Sequence, residues 1–448
     1  MDFVPHDNKT IAEMLRVIGV ADIEELFQDI PKDLIKEELD LPSGLSEPDL
    51  LQHMEELSRK NKLYSSSFLG AGCYYHYIPS LIDFVVSRSE FYTSYTPYQA
   101  EASQGYLQAI YEYQTMISRL TQMDVTNASM YDGSTALAEA AIMATLITNK
   151  KYILILEGIH PEYIEVVKTY CWGQNIRIEI IDEDKLSNKI SEDVAAVLFQ
   201  SPNFFGDIED VSELVKNIRE SASNCLLVQV MTDPTCLGVI KPPGLTDIDI
   251  FVAEGQSFGI SPSFGGPGLG IFTAKKKYLR KMPGRLIGKT KEINGTREGY
   301  ILTLQAREQH IRREKASSNI CTNQALCSLA ALVYLLAMGK AGLKEIATQN
   351  LQKAHYLKSE LGKIPGYKIL NTKPTYNEFL VSCPNIDSLI VKCKQLKILP
   401  PLKMSKYYPQ MTNTALVCIT EMNSKDSIDK FLQAAQVALN IKMEEKIS

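Results

Sequence analysis

The chain has 448 residues, of which 45% are hydrophobic and 22% charged, an ordinary composition for a globular protein of two or three domains. Its 47 basic and 53 acidic residues give a formal charge of −6, which disfavours a role in binding nucleic acid. The nine cysteines contain no CxxC pair, and the six histidines are scattered. Composition therefore argues against a disulfide framework and against a metal site.

Two segments bear on location. The N-terminus lacks the apolar core of a signal peptide. The most apolar long stretch, residues 326–338, is too short to span a bilayer. Together they predict a cytoplasmic protein without a membrane partner.

Residues 1–65 are predicted to form a polar N-terminal helical arm. Three short segments, residues 11–20, 23–30 and 50–60, have apolar residues at helical spacing. Ser46, Pro48 and Asp49 mark the start of the last helix, because serine can accept an N–H bond from the first turn.

Residues 66–335 are predicted to form a large α/β domain. Short apolar runs of strand length alternate with helical segments, which predicts a mainly parallel sheet covered on both faces. The predicted strands are residues 151–158, 176–182, 195–200, 225–231 and 248–254, with helices at 160–172 and 210–222.

A small C-terminal α/β domain is predicted for residues 336–448. A long helical region at about 316–362 leads into it. Its predicted strands are residues 377–383 and 415–420, and its predicted helices are 386–396 and 426–439.

Two sequence patterns give only weak indications of a binding site. Gly284 and Gly288-Lys289-Thr290 resemble a nucleotide phosphate loop, but three residues separate the glycines where that loop has four. Eight cations lie between Lys275 and Lys291 with no acid among them. They form either a solvated face or a docking surface for an acidic partner.

The chain meets some requirements of a pyridoxal-phosphate site and fails the main one. Such a site needs a carboxylate for the pyridine nitrogen, a helix N-terminus for the phosphate and a lysine for the aldehyde. Asp233 follows a predicted strand and fits the first role. Ser134 and Thr135 open a predicted helix, although Asp132 beside them would repel a phosphate. Gln256 stands where the lysine should follow the strand at 248–254.

Five segments carry a specific resemblance: residues 66–79, 95–105, 113–124, 282–290 and 307–322. The most distinctive are YTPYQAEASQG at 95–105 and REQHIRREKASSNICT at 307–322. They resemble the lysine-less first half, or first subunit, of glycine decarboxylase, the P-protein of the glycine cleavage system. The resemblance covers nearly the whole chain.

The resemblance implies the type I fold of pyridoxal-phosphate-dependent enzymes, similar to aspartate aminotransferase. It also implies a lysine-bearing second subunit that carries the cofactor covalently, in a heterodimer or heterotetramer. Gln256 then stands at the lysine position and Gly255 at the position of a preceding histidine. Asp233 is retained, either as a strand-end cap or in a cofactor role.

In such folds the active site lies at the subunit interface. Tyr95, Tyr98, Gln99 and Gln104 are candidates for a wall of the partner's pocket, where they would hydrogen-bond glycine or exclude water. Alternatively, their segment only packs the interface. Further candidates are cationic: His310, Arg312 and Arg313 either bind an anion across the interface or anchor the helix that follows.

The implied reaction is that of an oxidoreductase acting on a CH–NH2 group with a disulfide acceptor. Glycine is decarboxylated, and its aminomethyl group passes to the lipoyl arm of the H-protein. By this resemblance the chain is inactive alone. Two alternatives remain: a non-catalytic scaffold or regulatory subunit of the complex, and an independent enzyme that uses Lys275 or another lysine.

Overall fold

The computed structural model describes residues 6–35 and 40–444. The chain divides into two compact units, Met1–Leu63 and Tyr64–Ser448.

The first unit contains two α-helices, α1 (Asn8–Ile18) and α2 (Glu47–Ser58). Ser46 caps α2 by accepting a hydrogen bond from the Asp49 backbone N–H at 3.4 Å, at the helix start predicted from the sequence. Residues 23–30 were predicted to be helical, but only Glu24–Phe27 forms a 3-10 helix. None of the described residues of this unit is buried.

The second unit contains the remaining helices and all the strands of the described chain. The helices are α3 (Ser80–Val86), α4 (Ser89–Tyr92), α5 (Gln104–Thr121), α6 (Gly133–Thr148), α7 (Pro161–Trp172), α8 (Leu186–Lys189), α9 (Val211–Ser221), α10 (Gln309–Arg312), α11 (Ala325–Gly362), α12 (Ile386–Gln395) and α13 (Lys425–Glu444). The strands are β1 (Ser66–Ser67), β2 (Val125–Thr126), β3 (Tyr152–Leu156), β4 (Arg177–Ile181), β5 (Val194–Gln200), β6 (Leu226–Met231), β7 (Ile250–Glu254), β8 (Gly270–Ala274), β9 (Leu286–Lys291), β10 (Glu298–Thr303), β11 (Lys368–Ile369), β12 (Glu378–Ser382), β13 (Ile398–Leu399), β14 (Leu402–Lys403) and β15 (Thr414–Cys418).

The main sheet has seven strands in the order β2-β8-β7-β6-β5-β3-β4. The five strands β4, β3, β5, β6 and β7 are parallel to one another. Strand β8 pairs antiparallel with β7, and β2 pairs antiparallel with β8 at the end of the sheet. Successive side chains of a strand point to opposite faces, so each face of the sheet has its own core. On β5, Val197 and Phe199 join the core with α5, α9 and α11, while Ala196 and Leu198 join the core with α6 and α7. The predicted mainly parallel, mixed sheet is confirmed.

A second, four-stranded antiparallel sheet has the order β11-β12-β15-β14. With α12 and α13 it encloses a separate core, in which Phe68 stacks on Phe431 with ring centroids 4.3 Å apart. The division at residues 335 and 336 stays a prediction. Helix α11 crosses that point and is interrupted nearby at Gly339, whose φ of 58° and ψ of −172° are not helical.

The helical region predicted from residue 316 was wrong for residues 316–324, because α11 begins only at Ala325. The polar groups of this segment bond elsewhere: the Gln324 N–H donates to the Ser129 hydroxyl, and the Asn323 amide donates to the Ala128 carbonyl. In the described chain, α11 is also the helix with the length and mean hydropathy of a membrane span, but half of its apolar window is buried in the protein. That burial is typical of a core helix.

Candidate functional site

Asp233 and Gln256 lie at the carboxyl ends of two neighbouring parallel strands of the main sheet. Asp233 follows β6 and Gln256 follows β7, and the carboxyl ends of parallel strands meet at one edge, where α/β enzymes bind their ligands. Both side chains are buried, with 4% and 6% of their surfaces exposed. This edge is the place to test whether the chain itself can hold pyridoxal phosphate.

The Asp233 carboxylate is fully occupied by protein donors. One oxygen accepts from the Thr235 hydroxyl at 2.6 Å and from the Thr235 N–H, which caps the 3-10 helix Pro234–Gly238. The other oxygen accepts from the Asn377 amide at 2.6 Å and lies 3.1 Å from His76 Nε2. Asp233 therefore acts as a strand-end cap and as the partner of a buried histidine.

His76 lies between two carboxylates, with its Nδ1 atom 2.8 Å from Glu421. Burial would lower the pKa of the imidazole, but Asp233 and Glu421 raise it to about 10. Burial would likewise raise the pKa of the Asp233 carboxyl, yet the contact with His76 lowers it below its usual value. At neutral pH the imidazolium thus donates an N–H to Asp233, which is the bond that a protonated pyridine ring would make.

Gln256 is used to hold the backbone of Tyr74. Its Oε1 accepts from the Tyr74 N–H at 2.9 Å, and its Nε2 donates to the Tyr74 carbonyl at 3.1 Å. The Tyr74 hydroxyl donates to Glu378 at 2.7 Å and lies 3.0 Å from the Thr232 hydroxyl. The segment that contains Tyr74 and His76 is therefore fixed against the carboxyl ends of β6 and β7.

The N-terminus of α6 is occupied by carboxylates of this chain. Asp132 forms a capping box with Thr135 and accepts a hydrogen bond from the Ser134 hydroxyl at 2.5 Å. Glu254 accepts from the Gly133 N–H at 2.8 Å. Burial raises the pKa of Glu254 to about 7. The N–H groups of Gly133 and Thr135 are thus already bonded to carboxyl groups, which also oppose the binding of a phosphate at this helix N-terminus.

The residues present do not fit a bound cofactor. A pyridoxal-phosphate site needs a lysine, a free carboxylate and a free helix N-terminus. Here Gln256, which cannot form an imine, follows β7, while His76 occupies Asp233, and Asp132 and Glu254 occupy the start of the helix. This pocket is filled by the chain's own side chains.

Lys275, the first lysine after Gln256 in the sequence, does not replace the missing imine-forming residue. Lys275 follows β8, which is antiparallel to β7. It therefore lies near the start of β7, whereas Gln256 lies beyond the end of β7. There it contacts Asp247 at 2.5 Å and Asp249 at 3.1 Å. A role for Lys275 as an imine-forming residue is therefore not supported.

Three of the family-like segments meet at a second place, around Arg285. This side chain is 4% exposed. Its guanidinium donates to the hydroxyls of Thr96 at 3.2 Å, Tyr98 at 3.1 Å and Thr322 at 3.1 Å. Segments 95–105, 282–290 and 307–322 are distant in sequence, and one buried arginine ties them together.

The four wall candidates differ in their surroundings. Tyr95 is 82% exposed and Tyr98 is 60% exposed, and Gln99 is also exposed. Gln104 points inward, where its amide bonds both the N–H and the carbonyl of Tyr300 on β10. For Gln104 the geometry supports a packing role, whereas Tyr95, Tyr98 and Gln99 are accessible to a partner.

The cationic candidates lie on the surface. His310 Nε2 is 3.2 Å from the Cys321 sulfur, and Arg312 donates to the Ala306 carbonyl. Arg313 is exposed, in a left-handed conformation with φ of 53°. Among the described residues, His310 and Arg312 therefore contact different partners. The neighbouring Arg307 donates to the Met282 and Gly284 carbonyls and so ties this segment to residues 282–284.

The eight cations of residues 275–291 do not form a free patch. Lys275 and Lys277 lie within 4.0 Å of Asp249, and Lys289 pairs with Glu298. Arg285 is buried. Four of the eight cations are therefore not free to bind an acidic partner, which weakens the interpretation of this run as a docking surface.

Three important residues were not singled out from the sequence: His76, Glu254 and Arg285. His76 and Arg285 lie within the family-like segments 66–79 and 282–290, which is the signal that could have drawn attention to them. Glu254 ends a predicted strand, and nothing in its local sequence indicates that it reaches the N-terminus of α6.

Comparison with known proteins decides the family. The family model of the glycine cleavage system P-protein matches residues 1–435. The chain belongs to the glycine cleavage system P-protein family. It is 49% identical over 444 residues to the probable glycine dehydrogenase (decarboxylating) subunit 1 of Carboxydothermus hydrogenoformans, covering 97% of this chain and 99% of that protein. The family recognised from the sequence motifs is confirmed.

Solved structures agree with the P-protein assignment. A crystal structure of glycine decarboxylase (P-protein) of the glycine cleavage system, in inhibitor-bound form, superposes with a TM-score of 0.88 and 38% identity, covering 98% of this chain and all of that chain. A lyase mutant with glycine covalently linked to its pyridoxal-phosphate cofactor shares the fold, with a TM-score of 0.58, 15% identity and coverage of 85% of this chain and 97% of that one. The chain therefore has the type I fold of pyridoxal-phosphate-dependent enzymes. The relatives' name, subunit 1, implies a partner subunit.

Proposed function

We propose that this chain is the first subunit of a two-chain glycine dehydrogenase (decarboxylating). In that assembly a lysine-bearing second subunit carries pyridoxal phosphate and decarboxylates glycine. The aminomethyl group then passes to the lipoyl arm of the H-protein. The chain alone is proposed to be inactive.

The observation that carries the proposal is the filled pocket. The chain has the fold of a pyridoxal-phosphate-dependent enzyme, but Gln256 replaces the lysine and His76 occupies Asp233. A polypeptide of this family that cannot form the imine must act through a chain that can. The relatives' designation as subunit 1 supports the same division.

This chain's contribution is proposed to be one wall of the shared pocket. Tyr95 and Tyr98 are exposed, and nearby Phe84 and Tyr92 are 62% and 69% exposed. Exposed aromatic side chains in such numbers are typical of an interface with another protein. Tyrosine hydroxyls at that interface can bind a carboxylate, while the rings exclude water.

The N-terminal unit supports the existence of a large partner. Val17, Leu34, Leu41 and Leu63 are between 70% and 88% exposed, and none of the unit's described residues is buried. A unit with this much exposed apolar surface is stabilised by contact with another surface. We propose the second subunit as that surface.

The proposed location is the cytoplasm. All nine cysteines are free, as expected in a reducing compartment.

Reconstitution tests the proposed function. The chain alone, the second subunit alone and the two together are assayed for exchange of labelled bicarbonate into glycine in the presence of lipoylated H-protein. We expect exchange only with both chains. Full exchange by the second subunit alone would leave this chain the role of a scaffold, and exchange by this chain alone would show an independent enzyme.

A further inference from the structure

Arg285 is a buried cation whose hydrogen-bond partners are all neutral. Its three acceptors are the hydroxyls of Thr96, Tyr98 and Thr322. Among the described residues, no carboxylate lies within the 4.0 Å of an ion pair, and the Nε–H has no acceptor. Burying a charge without an opposite charge is costly, and a neutral side chain could link three hydroxyls at lower cost. The positive charge is therefore expected to serve a purpose beyond packing.

Tyr98 contacts this charge in two ways, through its ring and through its hydroxyl. The guanidinium carbon lies 5.4 Å from the centre of the Tyr98 ring, and an N–H donates to the phenolic oxygen at 3.1 Å. Because arginine can only donate, the Tyr98 proton must point to a different acceptor. A hydroxyl that accepts from a cation is also a stronger donor, since linked hydrogen bonds polarise one another.

Tyr98 is placed where such a donor can reach another molecule. Its side chain remains 60% exposed although its oxygen is held from within. Thr96, which shares Arg285 with Tyr98, lines a cavity of about 330 Å³ together with Tyr95, Ser103 and Tyr106. The Tyr98 side chain is therefore held from within through its hydroxyl and is exposed on its outer face.

We propose that Arg285 is a positioning residue that holds the Tyr98 hydroxyl as a hydrogen-bond donor to the carboxylate of the amino-acid substrate in the shared pocket. This inference rests on the proposed function, because the pocket is completed by the second subunit. Arg285 does not itself touch the substrate. It acts through Tyr98, and Thr96 and Thr322 fix its guanidinium.

A double-mutant cycle in the assembled complex tests the proposal. Arg285→Gln and Tyr98→Phe are each expected to lower bicarbonate exchange by about tenfold, the effect of losing one hydrogen bond to a charged group. The double variant is expected to be no worse than either single variant, because both remove the same interaction. The loss is expected mainly as a higher KM for glycine.

Two further variants separate positioning from folding. Arg285→Lys keeps the charge and a donor, so it is expected to recover part of the activity that Arg285→Gln loses. Arg297→Gln removes an exposed arginine of the loop between β9 and β10 and serves as the matched control, with activity unchanged. Thermal unfolding of each complex shows whether the fold is intact.

The outcomes are distinct. Losses that add in the double variant would overturn the inference and leave the proposed function standing, as would full activity of Arg285→Gln in a stable complex. A wild-type pair that exchanges no bicarbonate would instead overturn the proposed function. Non-additive losses with partial rescue by lysine would support the inference.

Discussion

Buried side chains of this chain make the contacts that a cofactor makes in related folds. His76 donates to Asp233 as a protonated ring nitrogen would, and Glu254 lies at the N-terminus of α6 as a phosphate would. His76 and Glu254 thus occupy the two contact points that a ring nitrogen and a phosphate would use. Restoring a single residue should therefore not restore the site.

The variant Gln256→Lys tests this directly. We expect the folded variant to form no imine with added pyridoxal phosphate, because His76 and Glu254 still occupy the remaining positions. It should also be less stable than the wild type, since lysine cannot accept the Tyr74 N–H that Gln256 accepts. Visible absorbance and circular dichroism measure the two effects. An imine that borohydride reduces at position 256 would show that the pocket is open after all.

The buried carboxyl of Glu378 should make the free energy of unfolding depend on pH. Burial raises the pKa of its carboxyl from 4.5 to about 7. The folded chain thus holds the proton more tightly than the unfolded chain, and this stabilisation is present below pH 4.5 and lost as the pH rises through about 7. The change corresponds to roughly 3 kcal/mol.

Glu378→Gln should remove the share of that slope that Glu378 contributes, measured by urea unfolding across this pH range, while Glu254 keeps its own share. An exposed position on α11, Glu345→Gln, is the matched control and should leave the profile unchanged. A variant at Glu378 that retained the full wild-type slope would show that Glu378 does not titrate in this range.

Strands and helices were largely predictable, because their signals are local. The apolar run at 195–200 is strand β5, and the helix predicted at 160–172 is α7 (Pro161–Trp172). Residues 316–324 resisted prediction because their partners, Ala128 and Ser129, are distant in sequence. The break in α11 at Gly339 was also not evident, since a glycine inside a helical pattern is usually tolerated.

The break in helix α11 at Gly339 predicts how a substitution there changes stability. Its conformation is essentially reserved for glycine, although no atom lies within 4 Å of the place that a Cβ atom would take. Gly339→Ala should destabilise the chain by about 1–3 kcal/mol through backbone strain alone.

Gly362 is the matched control. It is the last residue of the same helix, has open space at the Cβ position and no positive φ. Gly362→Ala should cost nothing and could add up to about 1 kcal/mol. Denaturant midpoints compare the two, and equal effects would contradict a special backbone at Gly339.

At the scale of the whole molecule, the sequence predicted which segments matter but not how they meet. The segments at 95–105, 282–290 and 307–322 were recognised separately, and only the fold shows Arg285 joining them. Likewise, Gln256 was identified as an absence of lysine, but not as the residue that holds Tyr74. Such contacts arise between residues far apart in the chain, so local patterns carry no information about them.

Removing residues 1–63 tests the role proposed for the N-terminal unit. Residues from 64 onward have their own cores, so the shortened chain should fold with an unchanged denaturant midpoint. Its affinity for the second subunit should fall at least about tenfold, because exposed apolar surface such as Val17 and Leu34 is lost. Binding as tight as that of the full chain would contradict the assignment of this surface to the partner.

The most direct measurement is the position of the cofactor in the active complex. The assembled complex is reduced with borohydride, which fixes pyridoxal phosphate to its lysine, and each chain is mapped by mass spectrometry. We predict one pyridoxyl group on a lysine of the second subunit and none on this chain. A pyridoxyl group on any lysine of this chain, Lys241 and Lys275 included, would contradict the proposed division of labour between the two subunits.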